Sequence, residues 1–173
     1  YDPITHTITG QQTATYHNRT TAPIPTLVLH LYLNAFRSRD TLWMREPGVS
    51  MGSYNYDPNA PGWTRIDHIA LDDGTALTIK ALDADETLVE AQLPQPVAPG
   101  GTVAVDIVFT AQLPKVIART GWADGGDFVF GGQWFPKFGV WEKAAWNAGA
   151  WNAYPFHANS EFYADFGRYD VAL

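Results

Sequence analysis

Residues 102–113 read TVAVDIVFTAQL, with Val103, Val105, Ile107, Phe109 and Ala111 on alternate positions and Asp106 and Thr110 between them. An apolar period of two describes a strand with one buried face, whereas a helix would repeat every three to four residues. The same period runs from Ile4 to Tyr16. There Ile4, Ile8, Ala14 and Tyr16 hold even positions, and Thr5, Thr7, Thr9, Thr13 and Thr15 hold odd ones. This predicts a long half-buried strand, bent at Gly10. Residues 26–34, TLVLHLYLN, put Leu27, Leu29, Leu31 and Leu33 on one face and Val28, His30 and Tyr32 on the other, so both faces of that strand are expected to be covered. Residues 64–71 and 75–82 read as two strands joined by a tight turn at Asp72-Asp73-Gly74. ETLVEAQL, residues 86–93, is a further strand, and PQPVAPGG after it is a proline-rich connection. No stretch combines a helical period with caps. The fold class is therefore all-β, a sandwich or a curved two-sheet body.

The irregular stretch from Ala35 to Gly62 interrupts this pattern with Pro47, Pro58, Pro61 and several glycines. Loops of that length in compact domains are functional or pack on a neighbour. At 173 residues the chain makes one domain, residues 1–173, large enough for a real core. The end of the sequence, EFYADFGRYDVAL, reads as a strand that has only begun. The expectation is a piece of a longer protein.

Charge and composition remove several functions. The net charge of −7 argues against nucleic acid, whose phosphates need a basic face, and equally against anionic lipid. No apolar run approaches the ~20 residues of a membrane span, so no membrane insertion is expected. No secretory leader is visible in the sequence. There is no Cys, which excludes disulfides and thiolate metal sites without fixing the redox compartment. Asn18-Arg19-Thr20 fits a glycosylation triplet, a pattern common by chance.

Chemistry-bearing groups are scattered. His157 stands four residues before Glu161, but a zinc peptidase helix needs H-E-x-x-H, and no His here is followed by Glu. His6, His17, His30, His68 and His157 fall on different predicted elements. No metal site and no catalytic residue follow from their spacing. Glu142 and Glu161 meet the two-carboxylate minimum of a glycosidase, as any domain with eighteen acids would. There is no G-x-S-x-G elbow and no phosphate loop. The seven Trp are the unusual part of the composition. Trp134 and Trp141 are read as core, Trp146 and Trp151 as anchors of a loop or interface, and clustered Trp as a possible sugar platform.

Three segments carry a resemblance: FTAQLPKVIARTGW, then GGQWFPKFGVW, then WNAYPFHANSEFYADFGRYDV. With GQQTATYHNRTTAPIPTLVLHLYLNAF before them, they resemble, in order and over nearly the whole chain, the amino-terminal β-domain of bacterial zinc aminopeptidases of the membrane alanyl aminopeptidase family (peptidase family M-one, gluzincins). The resemblance implies a saddle-shaped β-domain lying against a thermolysin-like catalytic domain of the same chain. The parent protein would remove amino-terminal residues from peptides with a single zinc. The zinc ligands and the G-x-M-E-N loop belong to that following domain, so no cofactor is expected in residues 1–173. In the family, a Gln or Glu of this domain binds the substrate's free amine upstream of an F-P-C-F-D-E-P-like segment. WFPKFGVW occupies that place here, with Lys137 where Cys would stand and Gly139-Val140-Trp141 replacing the acidic turn. Gln133 is then the substrate-binding candidate; read by itself, it is equally a hydrogen-bonded strand residue. The extracytoplasmic side is the favoured location. The competing function is a free-standing carbohydrate-binding or adhesion module.

Overall fold

The computed structural model describes residues 1–49, 54–143, 149–160 and 162–172. Its strands are β1 (Thr7–His17), β2 (Ile24–His30), β3 (Trp63–Leu71), β4 (Ile79–Ala81), β5 (Leu88–Val97) and β6 (Thr102–Gln112). The short strands β7 (Gly121–Ala123), β8 (Phe128–Phe130), β9 (Lys137–Phe138), β10 (Trp141–Glu142) and β11 (Ala150–Trp151) follow. The one α-helix among the described residues, α1 (Leu42–Arg45), is a single turn within the expected long loop. The fold is all-β, built from antiparallel sheets. One has the order β1-β6-β3 and another β4-β5-β2-β9, with β7-β8 and β10-β11 as separate pairs.

The alternation predicts the inner faces. Val105, Ile107, Phe109 and Ala111 of β6 are buried, and Ile8, Ala14 and Tyr16 of β1 pack against the same cluster. That core also takes Leu27, Leu29, Val89 and Ala91 from the other sheet, so both sheets close over one interior. Strand β2 lies between β5 and β9, which is why Leu27, Val28, Leu29 and His30 are all buried.

Gly10 has a different task from the expected bend. It sits in unbroken register opposite Phe109, and a Cβ there would lie 2.2 Å from Phe109 Cζ. The glycine makes room for the aromatic ring. Gly10→Ala is expected to destabilise by about 1–3 kcal/mol through overpacking. Urea denaturation tests this; a change below about 0.5 kcal/mol would mean that the ring relaxes freely.

Four sequence expectations need correction. Strand β2 ends at His30, and residues Tyr32–Phe36 form a 3₁₀ turn. The Asn34 side chain explains the change, since its amide donates to Glu86 O at 2.7 Å and accepts from Thr64 N at 2.7 Å. It does for two neighbouring segments what a ladder would otherwise do. The tight turn at residues 72–74 forms, with Gly74 in the left-handed region (φ 84°) and Gly74 N on Leu71 O. Its ladder lasts only to Leu77, after which β4 joins β5 in the other sheet.

The proline-rich connection is partly strand, because β5 continues through Pro94 and Pro96 to Val97. Prolines cannot donate to a ladder, and the register with β2 slips between Ile24 and Thr26, around Pro25. Finally, residues 162–172 form no strand. The Tyr32 hydroxyl both donates to Tyr163 O (2.9 Å) and accepts from Tyr163 N (3.1 Å), so a side chain takes the backbone groups a partner strand would use.

Candidate functional site

Gln133 lies in the bend between β8 and β9, not in a strand. Its backbone is left-handed, with φ 55°, a conformation that costs a side-chain-bearing residue about 1–3 kcal/mol. The preceding glycines permit the approach: a Cβ at Gly132 would meet Arg119 O at 2.4 Å. The half-buried Gln133 side chain reaches Lys137, whose Nζ donates to Oε1 at 3.2 Å. Burial holds the Lys137 ammonium below its ordinary pKa. Lys137 is also the ladder partner of His30. The Gln133 amide oxygen is thus placed to accept from an ammonium.

His157 is joined to a residue far from its sequence neighbour. Its Nδ1 pairs with Glu46 Oε1, while the other Glu46 oxygen accepts from Ala158 N. The pair ties segment 157–158 to the end of α1, a structural role. Glu161 and Trp146 lie outside the described residues. Glu142 accepts from the Tyr163 hydroxyl at 2.7 Å, and that bond raises the Tyr163 pKa. His6 stacks on Trp122 at 3.8 Å, and His17 and His68 are exposed. Among the described residues, no group of three or more His, Asp or Glu is placed to hold a metal ion.

The tryptophans among the described residues are buried or half-buried. Trp134 lies 5.9 Å from the Phe109 ring, half-buried. Trp151, expected to anchor a loop or an interface, packs on its own domain. Its Nε1 donates to Thr26 O at 3.0 Å, and its ring meets Tyr16 and Trp141. The exposed aromatic rings among the described residues include Tyr154, Tyr163, Phe166 and Tyr169, with Phe128 and Phe130 on the β7-β8 hairpin.

Sequence reasoning passed over His30. It is 4% exposed, stacks on Tyr32 at 4.6 Å with planes 3° apart, and neither ring nitrogen has a protein partner. Burial, assisted by the Lys137 charge, pushes its pKa down to about 4. The one signal was a titratable residue inside the aliphatic run LVLHLYL. His30 and Tyr32 line a cavity of about 170 Å³ together with Tyr154, Phe156 and Tyr163. A larger hollow, about 360 Å³, lies among Trp43, Tyr54, Phe156 and Phe162, and Gln133 lines neither. Arg119 also borders the larger hollow. It stands in a two-residue turn closed by Ile117 and Thr120, with Ala118 and Arg119 both at positive φ.

No helix among the described residues is long and apolar enough to cross a membrane. No family model matches the chain, and no curated protein matches it closely enough to count as a relative.

Proposed function

We propose that the chain is the non-catalytic amino-terminal β-domain of a zinc-dependent aminopeptidase-like metallopeptidase, working on the extracytoplasmic side. In this reading it packs against a catalytic domain of the same chain, and the assembly removes amino-terminal residues from peptides. The observation that carries it is Gln133. A residue kept in a strained backbone conformation, with its amide oxygen on an ammonium, suits the capture of a substrate's free amine. A carbonyl oxygen has two lone pairs, so Lys137 and a peptide amine can share it. The resemblance of the ordered motifs from FTAQLPK to FGRYDV is what suggests the family.

Exposed apolar side chains support a covering partner. Phe166 is fully exposed, and Tyr169 and Val171 beside it are more than half exposed, on a segment without a ladder. Apolar surface of that kind marks an interface.

The hydrolytic machinery belongs to the partner domain in this account, because a hydrolytic zinc needs about three protein ligands and a water. The isolated chain is therefore expected to turn over no aminoacyl-nitroanilide and to retain no zinc at one per chain after dialysis. Turnover together with stoichiometric zinc would overturn the assignment. The coding sequence beyond residue 173 offers a second test: an H-E-x-x-H supports the reading, and a glycosidase domain there contradicts it.

A further inference from the structure

An edge strand offers a row of unpaired N–H and C=O groups, and folded proteins blunt such edges with charge, proline, bulges, short length or a covering segment. The other outer strands of the two larger sheets are blunted in these ways. Strand β3 carries Arg65 and Asp67, has a bulge between Ile66 and His68, and is covered at Thr64 N by the Asn34 side chain. Strand β4 is three residues long and carries Lys80, and β9 is two residues long and carries Lys137. Strand β1 has none of these devices along its length. It runs eleven residues without an acid, a lysine, an arginine or a proline, in unbroken register with β6. Its free side follows from its ends. His6 O accepts from Leu113 N and Asn18 N donates to Gly101 O, so the even-numbered residues bond toward β6. Both backbone groups of a residue in an antiparallel ladder point the same way, so the odd-numbered residues face outward. Asp2 N takes Thr7 O at 2.8 Å and caps the edge there. Among the described residues, nothing bonds the outward backbone groups from Thr9 to His17.

We propose that the open stretch of β1 pairs antiparallel with β1 of a second copy of this chain, joining two three-stranded sheets into one of six strands. Thr13 is the centre of the stretch from Thr9 to His17, so the two-fold axis falls there. The strand matches itself in that register. Thr13 faces Thr13 of the second copy, Gln11 faces Thr15, and Thr9 faces His17, all on the exposed face. Neutral polar pairs of this kind, threonine on threonine above all, stabilise a ladder. An isologous contact needs such self-complementarity, since each pair occurs twice about the axis. A chain of net charge −7 meets its own copy here without opposing two acids directly. Asp106, the one acid of β6, stands a strand back from the joint on each side. The two Asp106 positions are three strand spacings apart, about 14 Å, beyond the ~8 Å screening length of physiological salt. This pairing does not depend on the aminopeptidase reading.

Sedimentation equilibrium of the 173-residue chain tests it. The expected result is a monomer–dimer equilibrium with a Kd below about 1 mM, the weak range suited to a single strand pair. Gln11→Lys/Thr15→Lys should raise that Kd about tenfold, because lysine then faces lysine twice across the axis. Gln11→Glu/Thr15→Glu should do the same. Both positions are exposed and lie opposite Val108 and Ala104 of β6, so neither change disturbs the domain's own ladder. An equal mixture of the two variants should associate at least as tightly as the parent, since every like-charged pair becomes an opposite one. Amide hydrogen exchange supplies a readout without substitution: the amides of Thr9, Gln11, Thr13 and Thr15 should slow as the parent is concentrated. A parent that stays monomeric at about 1 mM overturns the proposal and gives the edge to a strand of another protein. Dimers that ignore both charge variants, or that form without protecting these amides, also overturn it, because the contact would then lie elsewhere.

Discussion

Between pH 7.5 and pH 4 the domain is expected to lose about 3 kcal/mol of stability through His30 alone. The folded protein holds this imidazole neutral down to about pH 4, whereas in the unfolded chain it titrates near its ordinary value of 6.5. Across that window the unfolded state binds more protons, so stability falls as the pH falls. The loss begins near pH 6.5 and is complete just below pH 4. The cause is burial against the Tyr32 ring, with the Lys137 charge adding to it. The His30→Phe variant isolates the effect, since phenylalanine retains an aromatic ring against Tyr32 and has nothing to protonate. It should be at least as stable as the parent at neutral pH and should lack this component of the pH slope. Urea denaturation of both proteins at several pH values measures it. An unchanged slope in the variant would mean that His30 does not titrate in the buried state described.

On the proposed aminopeptidase reading, Gln133→Gly in the full-length protein is expected to lower kcat/KM about ten- to a hundredfold for peptides with a free amino terminus. A hydrogen bond to a charged group is worth about 1.5–3 kcal/mol, which sets that range. Glycine is the informative replacement because it adopts φ 55° without strain, so the bend survives while the amide is lost. Gln133→Ala removes the same amide but keeps the backbone strain. The two variants should therefore agree in kinetics and differ in stability, with the glycine variant the more stable. Amino-terminally blocked substrates offer no ammonium and should be insensitive to either change. Equal losses on both substrate types, or none, would remove Gln133 from substrate binding.

The fold was readable wherever local pattern and tertiary context agreed. Period two in residues 102–113 gave the inner face of β6 residue by residue, because an edge-to-edge ladder on both sides imposes that alternation. It was less readable where one side chain replaced a ladder. Asn34 ended β2 early, and the Tyr32 hydroxyl takes both backbone groups of Tyr163; both act across more than twenty residues of sequence. Gly10 shows a third limit. A glycine in a strand signals either a bend or a close approach, and only the position of Phe109 decides between them.

The candidate site was legible in part. Gln133 came from a resemblance, while its left-handed backbone has no signature beyond the two glycines before it. His30 carried a signal, a titratable residue in an aliphatic run, but its unpartnered nitrogens depend on which side chains surround it. The pairing of His157 with Glu46 joins groups 111 residues apart, which no local spacing could indicate.

The central claim, that this β-domain is covered by a catalytic domain, is tested most directly by hydroxyl-radical footprinting of Phe166 and Tyr169. Both rings are exposed in the domain described here, so the isolated chain should label strongly at both. In the full-length protein the account predicts strong protection of these two residues, while Tyr1, exposed at the other end of the chain, labels equally in the two forms. Equal labelling of Phe166 and Tyr169 in the isolated and full-length proteins would contradict it.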